Sequence, residues 1–498
     1  MLAAPFVLGA LCLVPGAPLA LLLARARGGR SLLSLVLVES VLLGLGWYLL
    51  VGTVLAHTHD LGRVQILVPT VLLAAAATAA LVARWPRSWV GGVDRPRPTP
   101  VGVALTVAFV VGTAMRTRPS YFLYQIGDFG EYVNRGNVLA DGGSFSMWFT
   151  HGFSVVLSLG HVALGEAREV EVMPFLGLAV MATALAIAHR VSASGWARVM
   201  VAVVFAIGVV PVWFSNFPAS ETPYALWQLA MLLFLVAAVQ HRHLPTAVVG
   251  GAFAFPLMLT RGNALLMLPI VLAVLLATSL VVRRDTVRIV AGFAIAAVAS
   301  LFAGFVYNSR YSYPYFIEFQ MPQFFPERVW RLFDDLGGLR AAVPKGLVLA
   351  VAVGALVWLA FTINARVGPP ADARWLRMTR AALLPSIVVV ALLSLVWPLD
   401  AGGLRDALAR YDPAVYVLAA LGLVWASVRF ARDMSEEARV ALVSIVLVGS
   451  AFALLHAYRF PTPRYAPYYL YWDRYLWSEF FPLLVVIGTW GVALLEHG

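Results

Sequence analysis

The sequence predicts an all-α polytopic membrane protein with about fifteen transmembrane helices (thirteen to fifteen), and three observations carry that prediction. Of the 498 residues, 61% are hydrophobic and only 12% are charged, against roughly 25% charged in an average soluble protein. Mean hydropathy is +0.84. Apolar runs recur along the whole chain at the length of about 20 residues that a helix needs to cross a bilayer. Such a composition excludes soluble enzymes, disulfide scaffolds and nucleic-acid modules. The net charge of +11 therefore belongs to the basic cytoplasmic loops of a membrane protein. Cys12 is the single cysteine, so neither an intrachain disulfide nor a thiolate metal cluster can form.

In chain order the predicted spans are 2–24, 31–56, 65–83, 100–116, 173–189, 197–213, 223–240, 244–260, 264–282, 289–307, 346–363, 381–398, 415–430, 438–456 and 480–496. The first has no basic residue ahead of it and is followed by Arg25, Arg27 and Arg30, the reverse of a signal peptide. Those arginines place the 25–30 loop in the cytoplasm and the N-terminus outside. Alternation then gives seven inner loops, which hold 20 of the 36 basic residues within 69 positions. Seventeen of the 25 acidic residues fall outside. The C-terminus is cytoplasmic in this scheme. Lys345 is the only lysine, a codon bias expected of a GC-rich bacterium, so the expected location is its cell (plasma) membrane.

Residues 151–165 (HGFSVVLSLGHVALG) are apolar but too few to cross. Were they to span, Arg190 and Arg198 would face outward, so the charge rule predicts a helix lying in the outer interface. The polar mass then sits in four outer loops, 117–172, 308–345, 399–414 and 457–479. A protein so arranged does its work on the outer face. The 308–345 loop is rich in Tyr, Phe and Pro, which suits an interfacial helix at 322–336 or a substrate lid equally well.

The first outer loop contains Asp128 and Glu131, one helical turn apart, flanked by Tyr121, Tyr124 and Tyr132. That spacing is an N-capping pattern for a helix starting there. It also presents two carboxylates at the membrane surface, where a lipid-borne head group would lie. Glu221 opens a later span beside Pro223, which suits either helix capping or a site. Arg261, in Thr260-Arg261-Gly262-Asn263, sits at the outer end between two spans, either snorkelling or holding phosphate. Arg459, Arg464 and Arg474 gather on the last outer loop with only Asp473 and Glu479 to offset them, against the positive-inside trend, which favours an anionic ligand. Glu39 is the one clear acid inside a span, a functional candidate by default that could also reach the nearby cytoplasmic arginines.

The stretch Asp128, Glu131, Tyr132 and Leu139-Ala140-Asp141-Gly142-Gly143, with the short apolar helix after it, resembles the first outer loop of the GT-C superfamily of membrane glycosyltransferases. Glu221 and the closing Arg474-Tyr475-Leu476 and Pro482-Leu483 resemble further family features. The resemblance covers roughly 104–265 and 457–490; residues 1–98 form an additional three-span segment before a GT-C-like module at 99–498. It implies inverting transfer of a hexosyl or pentosyl unit from a polyprenyl-phosphate donor to a lipid, glycan or protein acceptor, in cell envelope biogenesis. Asp128 or Glu131 would be the general base. Arg261, Arg459, Arg464 and Arg474, with Glu221, Tyr132, Tyr475 and His151, would bind substrate and donor phosphate. No cofactor is expected, a divalent metal being compatible but not required, and no nucleic-acid partner. Two other readings compete: a polysaccharide polymerase or O-antigen-type ligase, and a flippase or transporter of lipid-linked sugars. A transporter should bury charge at mid-membrane and show internal repeats; here nearly all charge lies at span ends, Glu39 excepted.

Overall fold

The computed structural model describes residues 3–27, 33–83, 99–117, 128–144, 149–166, 168–265, 284–320, 413–429, 434–459 and 476–497, with isolated positions between 268 and 275. Among the described residues the chain is helical, with no strand. The helices are α1 (Ala4–Ala26), α2 (Leu33–His57), α3 (Arg63–Ala83), α4 (Pro100–Met115), α5 (Asp128–Ala140), α6 (Gly152–Leu164), α7 (Val172–Val191), α8 (Gly195–Ile207), α9 (Val209–Ser215), α10 (Glu221–His241), α11 (Leu244–Ala252), α12 (Ala254–Thr260), α13 (Arg284–Tyr311), α14 (Pro413–Arg429), α15 (Glu436–Arg459) and α16 (Phe481–His497). Every predicted span outside 264–282, 346–363 and 381–398 falls on one or two of these helices. Of 264–282 only scattered positions up to 275 are described, and the other two, the loop 399–412 and the predicted helix at 322–336 lie outside the described residues.

Seven of the described helical runs are long and apolar enough to cross a membrane, and an eighth if α8 and α9 count as one broken span. Their burial sorts them. In α10 94% of the apolar window is buried inside the protein, against 22% in α1 and α3. A helix apolar on all sides must be surrounded, so α10 is the axis of the bundle. The outward faces of α1 and α3, with Phe6, Val64, Val68 and Leu72 exposed, are the surfaces a bilayer would cover.

Small residues set the closest approaches. A methyl group on Gly16 of α1 would overlap the Ser40 carbonyl of α2, and one on Gly44 would overlap the Cys12 carbonyl in return. Close backbone contact of this kind binds helices where no hydrophobic difference from lipid can. Between α8 and α9 the axis bends by 57° at Gly208. Pro211 lacks the N–H that would bond back to Ile207 and crowds that carbonyl. Arg116, fully buried, donates to the Phe205 and Gly112 carbonyls and so satisfies an acceptor beside the break.

At one end of the bundle a polar layer forms around Glu39. Arg27 binds it through both carboxylate oxygens, 2.8 Å at Oε1, and Arg190 adds a 3.0 Å bond from a second helix. Arg190 also donates to Gln240 at 2.6 Å. Glu39 does reach the arginines, and through them it ties α1 and α2 to α7 and α10.

The opposite end carries α5 and α6. Here Thr150 donates to the Thr260 carbonyl (2.7 Å), Arg63 to Val162 (2.8 Å), and Asn137 lies 3.4 Å from Glu169. Both ends of α6 therefore meet the same end of the bundle, and the helix does not traverse it. Its setting differs from the interfacial helix expected. Residues 151–158 are all buried, because Gly152 lies directly against the Leu259 backbone and Gly52 under Val155 and Leu159. Its first two turns are apolar because protein surrounds them, while Leu159 and residues 161–164 stay half-buried.

Candidate functional site

The polar layer at the α5–α6 end is built from the starts and stops of distant helices. After Thr260 the backbone of Arg261 becomes extended, ending α12. The released carbonyls of its last turn are taken by side chains: Asn308 donates to Met258 (3.0 Å) and Thr150 to Thr260. This turn presents Arg261 and Asn263 in different directions. Arg261 Nη1 donates to Glu221 Oε1 at 2.8 Å. Asn263 Nδ2 donates to Glu479 Oε1 at 2.7 Å.

Both acids open a helix and both are fully buried: Glu221 at the first residue of α10, Glu479 in the π-helical turn Leu476–Phe480 ahead of α16. A buried carboxylate is costly unless paired and hydrogen-bonded, and one four-residue turn serves both. The turn carrying Glu479 is held in place by Gln228, which donates to its carbonyl (3.1 Å), and by Trp477, which donates to Thr222 (3.3 Å). Beneath the pair lies an apolar cavity of about 70 Å³, lined by Tyr224, Gln228, Leu232, Ala264, Leu268 and Leu483 among others.

His151 belongs to a second cluster. Its Nδ1 lies 3.0 Å from the Tyr307 hydroxyl, which lies 2.8 Å from His57 Nε2. Its Nε2 lies 3.2 Å from Ser312 Oγ. A tyrosine hydroxyl has one proton to give and can accept as well, so it can donate to one imidazole and accept from the other. Three chain segments, α2, α6 and α13, meet at this one oxygen.

Glu131 points elsewhere. It is half exposed and pairs with Arg135 one turn on, at 3.1 Å, while Arg135 lies over the Phe149 ring. Tyr132 is buried, packed on Phe149 and Phe153. Asp128 begins α5, but its side chain lies outside the described residues, as does that of Arg459 at the end of α15. Arg464, Arg474 and Tyr475 lie outside them altogether.

The Leu139-Ala140-Asp141-Gly142-Gly143 run is a helix stop. Gly142 takes φ +79°, and the Gly143 N–H bonds the Val138 carbonyl at 2.7 Å, a Schellman closure. His59 then approaches the Gly142 and Gly143 carbonyls at 3.2 and 3.3 Å.

Sequence reasoning paired none of Asn263, His57, Tyr307 and Glu169 with a site. Glu169 is buried beside Asn137 and within 3.8 Å of His161. Glu479 carried the same signal as Glu221, an acid at the start of a span, and could have been found by it.

No family model matches the chain, and no curated protein matches it.

Proposed function

We propose that the protein is an inverting membrane glycosyltransferase of the GT-C type, with about fifteen spans, its N-terminus and its site on the outer face of the cell membrane. It would move a hexosyl or pentosyl unit from a polyprenyl-phosphate donor to a lipid, glycan or protein acceptor. One observation supports the reading above others. The helix bearing Asp128 and Glu131, the buried Glu221–Arg261 and Glu479–Asn263 pairs and the cavity under them share one end of an apolar bundle. Such an end offers the polar surface that the head of a lipid-linked sugar needs, set on an apolar body in which its chain would lie against the bilayer.

The chemistry follows from the substrate. The acceptor oxygen attacks C1 as Asp128 or Glu131 takes its proton. The bond from C1 to the phosphate oxygen breaks, and polyprenyl phosphate leaves with the electron pair. Inversion results because attack and departure occur on opposite faces. Arg261, oriented by Glu221, and Arg459, Arg464 and Arg474 would bear the charge that grows on the phosphate.

The test is transfer by the purified full chain from short-chain polyprenyl-phosphate sugars, comparing wild type with Asp128→Asn and Glu131→Gln. Loss in one variant names the base. Full activity in both, or no consumption of any donor, overturns the reading.

A further inference from the structure

A groove opens between the N-terminal spans and the rest of the bundle, away from the Glu221–Arg261 layer. Its volume is about 220 Å³, and α1, α2, α3, α6 and α7 all contribute to its wall. The lining is apolar: Leu11, Leu45, Ile66, Leu159, Val162 and Phe175 are representative. Tyr48 also lines it, but its hydroxyl is already bonded to the Leu11 carbonyl at 3.1 Å. The one charged lining residue is Arg63, at the first position of α3.

The depth has a natural measure. Arg63 stands at the end of the bundle. Cys12 and Tyr48, also on the wall, lie eight and nine residues along their helices from Ala4 and His57, the termini at that end. At 1.5 Å per residue they are roughly 12–14 Å deeper. That is close to one leaflet, about half of the 30 Å hydrocarbon core. On the outer side the groove is bounded by Leu67, itself 46% exposed, so it opens toward the bilayer.

Arg63 is exposed, and its Nε donates to the Val162 carbonyl at 2.8 Å, which fixes the plane of the guanidinium across the rim. Among the described residues it has no ion pair; Asp60, three residues before it, does not bridge to it. An arginine held in this way offers the planar edge that binds a phosphate through two oxygens.

We infer that the groove between α1–α3 and α6–α7 binds one chain of an anionic glycerophospholipid, with its phosphate on Arg63. The depth matches a leaflet, the wall matches a hydrocarbon chain, and the single cation stands where the phosphate would be. The inference does not depend on the glycosyltransferase reading. It gives the three-span segment a role, holding a lipid against α6, the helix led in by Thr150 and His151, which touch Thr260 and Tyr307.

Native mass spectrometry of the full chain in detergent, with dioleoyl-phosphatidylglycerol or the phosphate-free dioleoylglycerol added, tests it. Wild type should retain one phosphatidylglycerol with a preference of about tenfold, the effect of one charge-assisted contact. Arg63→Gln should erase the preference and Arg63→Lys keep most of it. Ala163→Phe, which fills the groove from α6, should abolish retention of both lipids while the thermal transition shows that the protein stays folded. Equal retention of the two lipids by wild type, or an undiminished preference in Arg63→Gln, overturns the inference. So does displacement of phosphatidylglycerol by a lower concentration of a polyprenyl monophosphate, which would make that lipid the occupant.

Discussion

Arg261 Nη1 and Glu221 Oε1 meet at 2.8 Å, joining the residue that ends α12 to the residue that begins α10. The carboxylate is fully buried and the guanidinium 10% exposed, so little water screens either charge. Removing one partner takes a buried ion pair away from the other. Glu221→Gln and Arg261→Gln should each lower stability by about 3–5 kcal/mol. The double variant should cost less than the sum, with coupling of about 0.5–3 kcal/mol. Unfolding in detergent measures all three, and strictly additive losses would show that the two residues act independently.

Glu131 should behave in the opposite way. Its pair with Arg135 is exposed on α5, and such pairs contribute about 0.2–1 kcal/mol. Glu131→Gln should therefore leave the unfolding transition almost in place. If Glu131 is the base, transfer should still fall by about 10²–10⁴-fold. A large loss of stability in this variant would contradict the exposed setting of the side chain.

Tyr307→Phe should separate the cluster on α13 without opening a cavity, since only the hydroxyl is lost. His57 and His151 each lose a bonding partner at that oxygen. A loss of about 1–3 kcal/mol is expected for buried groups whose bond is removed. A double-mutant cycle with His57→Phe should show coupling. Independence of the two would mean that the hydroxyl does not bridge α2 to α13.

Glu39 holds Arg27 and Arg190 at the other end of the bundle. Glu39→Gln should leave two buried guanidinium groups without their carboxylate, at a cost of about 3–5 kcal/mol. Arg190→Gln should cost less, because Arg27 keeps the carboxylate paired. Thermal unfolding of both variants gives the order, and the reverse order would mean that Arg190 is the group that α1 and α2 depend on.

Much of the fold was legible in the sequence. The runs at 31–56 and 223–240 became helices within a few residues of their predicted ends, because hydropathy reflects transfer from water and depends on each side chain separately. The shortness of 151–165 was equally plain. That protein buries its first half was not, because protein and lipid interiors are both apolar. Glu221 stood out as an acid at a span start, yet its partner lies forty positions on, in a turn that reads equally well as a snorkelling arginine. Glu479 and Asn263 are separated by more than two hundred residues. The LADGG run was legible through a resemblance, while its local role, stopping α5 in a left-handed turn, follows from the glycine at φ +79°.

Composition and hydropathy thus established a helical membrane protein, the approximate borders of the described helices and the few charged positions set at helix ends or inside an apolar run. Those properties are sums over single residues and neighbouring turns. The three-dimensional packing established which of those charges meet: Glu221 with Arg261, Glu479 beside Asn263, Glu39 with Arg27 and Arg190, while Glu131 turns outward to Arg135. Such pairings are set by how helices tens or hundreds of residues apart pack against one another. A carboxylate taken out of water is stable only where that packing delivers a donor to it.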